Sequence, residues 1–163
     1  MLEIKAINID MIMKILTLQE ANNLLPLVKE HFLNIGFLLG KLHTIKIKHH
    51  NKNLLWKLSQ KSSFIKIIKN QNIKKYKKET KIEIDKIEKL IENEINNISK
   101  SGAIIKSLFP PHIDFLSAKN GQLIYLCWHS NENEITHWHY FDDNYAERQL
   151  IKKDKEFGPM MVN

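Results

Sequence analysis

The chain predicts an α+β fold, a long antiparallel helical pair packed on one face of a small antiparallel β-sheet of three to four strands. Three observations predict it. Apolar residues recur at helical spacing from Leu18 to Ile98. Beyond Gly102 the period shortens to the alternation of strands. An Asn-Gly pair, Asn120-Gly121, separates two of those strands as a hairpin turn does. A length of 163 residues fits a single domain, read as an N-terminal extension (1–16), a helical hairpin (17–101), a sheet (102–150) and a tail (151–163).

The first helix starts at Thr17. Thr17 and Glu20 form a T-x-x-E capping box, in which hydroxyl and carboxylate satisfy backbone donors that a helix start leaves open. Met1, Met11 and Met13 are alternative starts, and residues 1–12 carry no structural signal. From Leu18 the apolar positions Ala21, Leu25, Val28, Phe32, Ile35, Leu39 and Leu42 step by three and four without a break, which is an a/d seam. Pro26 cannot donate to the Asn22 carbonyl, so a kink or break is expected near residues 22–26. Gly36 and Gly40 are read as a small-residue contact that lets a packing partner come close. The polar run His49 to Asn53 is read as the turn between helices, with His49 and His50 solvated.

A second helical stretch is read from about Leu54 to Ile98, through Leu58, Ile65, Ile68, Ile84, Ile87, Ile91 and Ile95. Its middle, Asn70 to Lys81, is polar enough for an exposed helical turn, a break or a loop. Gly102 ends the helix, and Pro110-Pro111 forbids another. Strands are then read at Ile104-Ile105, Ile113 to Ala118, Gln122 to His129 and Ile135 to Phe141.

Composition excludes several classes. With 43% hydrophobic and 26% charged residues the chain is neither disordered nor fibrous, and a single Cys forbids an internal disulfide. There is no apolar run long enough for a membrane span and no secretory leader pattern, so the reading is a cytoplasmic protein with no membrane partner. The net charge of +7 is uneven: Lys41 to Lys81 holds thirteen Lys and one acid, Glu79, so the rest of the chain is net acidic. An AT-rich genome would produce such Lys, Ile and Asn bias without selection for binding. Of the 25 basic residues only Arg148 is Arg, so the bidentate forks that read bases are missing, and sequence-specific nucleic-acid binding is not expected.

The segments Leu16 to Pro26, Ile113-Asp114-Phe115, Asn120-Gly121, Tyr125-Leu126-Cys127-Trp128, Glu132, Ile135, Trp138-His139 and Arg148-Gln149 resemble a prokaryotic domain of unknown function, family 2203. The resemblance covers Leu16 to Leu150 and implies a fold but no activity, because the family has none established. His112-Ile113-Asp114-Phe115 departs from it, standing where members tend to carry Leu-Val-Asp-Phe.

The last third gathers groups that ligate metals or move protons: His112, Asp114, Cys127, His129, Glu132, Glu134, His137 and His139. Tyr125, Cys127 and His129 share one strand face, and Ile135, His137, His139 and Phe141 share a face of the next strand. A register whose paired numbers sum to an even value, such as Cys127 opposite His137 or His139, brings these faces together; an odd sum sets Cys127 against Trp138. Under the even register a candidate site for Zn²⁺ or another transition metal consists of Cys127, His139, Glu132 and Asp114, with His129 and His137 as further candidates. All but those last two match the family's motif, and Arg148, which also matches it, is the candidate anion-binding residue. Plainer readings stand beside these: Cys127 as a small buried hydrophobe, Trp128 and Trp138 as core anchors, and Arg148 as an ion-pair partner of Asp114, Asp142 or Glu132.

The functional reading is a small binding or regulatory protein that takes a transition metal or small anion on the sheet. One alternative is an enzyme of unknown substrate, with a metal-bound water or Cys127 as nucleophile and Glu132 or His139 as base. Another is a helical self-association module whose Lys segment touches phosphate nonspecifically.

Overall fold

The computed structural model describes residues 14–59, 68–143, 145–152 and 157–159. It holds two helices, α1 (Leu18–Ser59) and α2 (Ile68–Lys100), followed by five strands: β1 (Ala103–Leu108), β2 (Pro111–Lys119), β3 (Gln122–His129), β4 (His137–His139) and β5 (Gln149–Leu150). The strands form one antiparallel sheet in the order β1-β2-β3-β4-β5. The fold class is α+β as expected, with one strand more. β5 has two residues, too few to leave an alternation in the sequence. Among the described residues no helix is long and apolar enough to cross a membrane.

Two compact units divide the chain: Met1–Phe32 with Asn96–Asn163, and Leu33–Ile95. In the first, α1 opens on the expected capping box. Thr17 N–H donates to Glu20 Oε2 at 2.9 Å, and Glu20 N–H donates to Thr17 Oγ1 at 3.1 Å. Just ahead of it Leu16 is already docked, its N–H donating to the Leu116 carbonyl at 2.9 Å and its carbonyl accepting from Ser117 Oγ at 2.7 Å. Leu18, Ala21, Leu25, Val28 and Phe32 are all buried, as the seam requires. Of the kink or break expected near residues 22–26, the break does not occur: α1 runs through Pro26, since one missing i→i−4 bond costs less than the burial that continuing the helix secures.

In the second unit α1 and α2 run antiparallel, with Lys46 bonded to Glu88 at 3.0 Å and Lys52 stacked over the Tyr76 ring at 3.6 Å. Ile35, Leu42, Ile87 and Ile91 are buried. The turn expected at His49 to Asn53 is instead part of α1, where His49 stacks on Tyr76. That run holds no Gly or Pro, and polarity alone does not stop a helix with a neighbour to pack on. Leu54 and Leu58 therefore belong to α1, α2 begins at Ile68 and continues through Asn70 to Lys81, and Ile65 lies outside the described residues. Among the described residues no atom lies within 4 Å of where a Cβ would stand at Gly36 or Gly40.

The Asn120-Gly121 turn is as read, with φ of 50° and 80°, and Gly102 follows α2 at φ 89°. β4 is shorter than the predicted Ile135 to Phe141 because both ends leave the ladder: Ile135 N–H donates to Asn22 Oδ1 and Tyr140 N–H to Asp143 Oδ2. The tail returns to the sheet. Phe157 is buried and bridges Lys119, while residues 153–156 and 160–163 lie outside the described set.

Candidate metal centre

Pairing fixes which residues share a side of the sheet. Ile113 opposite Trp128, Phe115 opposite Leu126 and Ser117 opposite Ile124 make the side that meets α1, where Trp128 contacts Phe32 at 6.5 Å between ring centroids. The residues between them, His112 opposite His129, Asp114 opposite Cys127 and Leu116 opposite Tyr125, face the other way. β4 joins with Cys127 opposite His137 and Tyr125 opposite His139, which is the even register. Cys127 therefore faces away from Trp138, whose partner is Leu126.

On that side four donors converge. His112 Nε2 stands 3.1 Å from Cys127 Sγ and 3.4 Å from Asp114 Oδ1, and His139 Nε2 stands 3.4 Å from Asp114 Oδ2. Ligand atoms of His112, Asp114 and Cys127 all lie within 4.8 Å of one another. Asp114 and Cys127 are wholly buried, yet neither carboxylate oxygen of Asp114 meets a hydrogen bond of good geometry; its neighbours are ion-pair contacts only. His139 is oriented by its second nitrogen, with Nδ1 at 2.7 Å from the Tyr140 carbonyl. A carbonyl only accepts, so Nδ1 carries the proton and Nε2 is the atom aimed at the cluster.

The charges compensate one another. Burial opposes the His112 imidazolium, but contacts with Asp114 and Cys127 outweigh it and raise its pKa to about 9. Asp114, helped by Cys127, raises His139 to about 10. Burial pushes the Asp114 carboxyl up, yet His112 and His139 hold it well below the usual carboxylate range. The Cys127 thiol is lowered too, since His112, His139 and Arg148 overcome its burial. Burial and the charge of His112 depress His129, whose ring lies tilted against that of His112 with centroids 4.4 Å apart.

The remaining candidates form a second ring around this group. Glu132 is turned toward Arg148 (Nη1 to Oε1, 3.2 Å) and His137 (Nδ1 to Oε1, 3.3 Å), and accepts the His129 N–H at 2.9 Å. Arg148 Nη1 also approaches Cys127 Sγ at 3.6 Å, so the guanidinium links Glu132 to the thiol. Lys106 Nζ reaches Asp114 Oδ2 at 3.5 Å from the edge strand. Sequence reasoning gathered Asp114, Cys127 and His139 but left His112 out of the ligand set. Its signal was present, because residues 112 and 114 lie two apart on one strand and so share a face.

A sequence model of an uncharacterised conserved protein family, DUF2203, matches residues 14–151. The chain belongs to this family. No curated protein and no solved structure matches it. The matched span runs from the capped start of α1 through β5.

Proposed function

We propose that this DUF2203 protein binds a transition-metal ion, zinc foremost, through His112, Asp114 and Cys127, with His139 as fourth donor. The observation that carries the reading is Asp114, a wholly buried carboxylate that no hydrogen bond of good geometry reaches, met at 3.4 to 3.5 Å by His112, His139 and Lys106 and paired across the strands with Cys127. Such a group calls for a cation. The ligand atoms of His112, Asp114 and Cys127 lie within 4.8 Å of one another, near enough to gather on one ion. Charge favours the exchange as well. Release of two imidazolium protons makes way for one divalent ion of the same total charge. The carbonyl behind His139 and the guanidinium behind Cys127 are the supports that ligands of a bound metal require. Cys127, fully buried, is placed to ligate rather than to attack a substrate, and a lone free thiol suits a reducing cytoplasm.

The test is the metal content of untagged protein purified without chelator, by inductively coupled plasma mass spectrometry. About one equivalent of zinc or another transition metal per chain is expected, lost in Asp114→Asn and Cys127→Ser and retained in the exposed control Glu134→Gln. Folded wild-type protein that neither carries metal nor takes up added zinc would overturn the reading.

A further inference from the structure

We propose that the outer side of α1 between Leu33 and Leu54 docks a helix of another protein, one that is apolar along a single seam and acidic on both edges of it; this surface lies within the unit Leu33–Ile95 and shares no residue with the metal cluster.

Two rows of apolar residues run along α1. The first, through Ile35 and Leu42, is buried. A second passes through positions 33, 37, 40, 44, 47, 51 and 54, stepping by four and three as the a and d positions of a coiled coil do. Its large side chains stand in solvent: Leu33 is 75% exposed, Phe37 74%, Ile47 46% and Leu54 50%. Apolar residues scattered singly over a surface are ordinary, but these four keep one register along about 30 Å of helix. At Gly40, in the same row, no atom of the described residues lies within 4 Å of where a Cβ would stand, so another backbone can come close there.

The shape of the row favours a helix over other partners. It is narrow, and Thr44 and Asn51 sit in it, both exposed, so it lacks the broad apolar face that a bilayer takes up. A nucleic-acid backbone has no use for an apolar row. A second helix fits its own a and d side chains between those of the first, and a polar residue such as Asn51 at an a position sets the register of that pairing.

Charge selects which helix. Lys41 and Lys48 border the row on one edge and His43, His50 and Lys57 on the other, all of them exposed, and neither edge carries an acid between residues 34 and 57. A second copy of this chain, laid against the row in either direction, would set cation against cation along both edges. A helix with Glu or Asp on its edges meets an opposite charge along both.

The experiment uses the full chain and a fluorescein-labelled synthetic peptide of about four heptads, with Leu at a and d and Glu at e and g, and reads binding by fluorescence anisotropy. A comparison peptide carries Lys at e and g instead. The Glu peptide is expected to bind saturably, about tenfold or more tighter than the Lys peptide, and to weaken with added salt. Phe37→Asp should weaken it by about tenfold or more with an unchanged circular dichroism spectrum, since Phe37 is exposed. The double variant Lys41→Glu, Lys48→Glu should reduce or reverse the preference for the Glu peptide. No binding of the Glu peptide, equal affinity for the two peptides, or indifference to Phe37→Asp would overturn the proposal. So would a wild-type chain that sediments as a dimer and a Phe37→Asp chain that sediments as a monomer, which assigns the row to a second copy. Binding to phosphatidylglycerol vesicles in place of the peptide, lost in Phe37→Asp, would overturn it in favour of a membrane.

Discussion

The two sides of the sheet are one residue apart in sequence and each has a wholly buried centre, but they are held by different physics. Phe115 and Leu126 on the α1 side, and Asp114 and Cys127 on the other, are all 0% exposed. The α1 side is secured by apolar burial, which is non-directional and has no substitute in water. The opposite side is secured by charge compensation among Asp114, Cys127, His112 and His139, and compensation is an exchangeable function: a pair of protons or a metal ion can provide it. In this sheet one side is held by apolar contact and the other by mutually compensating charges.

Substitutions on the two sides should therefore fail differently. The largest effect belongs to Phe115→Ala, which empties the apolar side and should cost about 3 to 5 kcal/mol by denaturant unfolding, equally with and without metal. Asp114→Asn comes next. It keeps the shape but leaves two imidazoles without their shared anion, costing the metal-free protein about 1 to 3 kcal/mol. In that variant the His112 and His139 titrations should move down from about 9 and about 10 toward the ordinary imidazole value of 6.5, as followed by NMR. If they do not move, Asp114 is not the group that holds these protons.

The pH dependence sharpens the same contrast. His112 and His139 have folded-state values above the unfolded one, so their contribution to metal-free stability is complete below about 6.5 and is lost as pH rises through about 9 to 10. Asp114 acts in the opposite sense: its contribution is present above the ordinary carboxyl value of 3.8 and fades as pH falls below that. With metal bound the imidazoles are neutral, so the added stability from zinc should grow over the alkaline range in which the metal-free protein weakens. Thermal melts of both forms between about pH 6 and 10 check this, and parallel curves would contradict it. The smallest effect is expected far from the cluster: Thr17→Ala removes the cap of α1 and should cost about 1 kcal/mol, with metal content unchanged.

What could be read from sequence was local. Thr17 with Glu20 and Asn120 with Gly121 each specify their geometry within four residues, and both were legible. The seam from Leu18 was legible because burial along α1 repeats, and it continues past Pro26 without a break. The helix turn was misplaced at His49 to Asn53 because polarity was read as a terminator, and nothing local revealed that Tyr76 lies against His49. The site was half legible. Alternation ties Cys127 to one face, but only pairing shows that Asp114 is its direct partner and that His139, not His137, reaches the carboxylate. The bulge that shifts the β1–β2 register at Lys106 was beyond reach, since it exists only as a mismatch between two strands.

The central claim is that a metal sits among one thiolate, imidazole nitrogen and carboxylate oxygen, and X-ray absorption at the zinc edge of the loaded protein tests it most directly. The account predicts one sulfur scatterer at about 2.3 Å with the remaining nitrogen and oxygen donors at about 2.0 to 2.2 Å, and loss of the sulfur shell in Cys127→Ser. A wild-type spectrum with no sulfur shell, or one unchanged by Cys127→Ser, would contradict it.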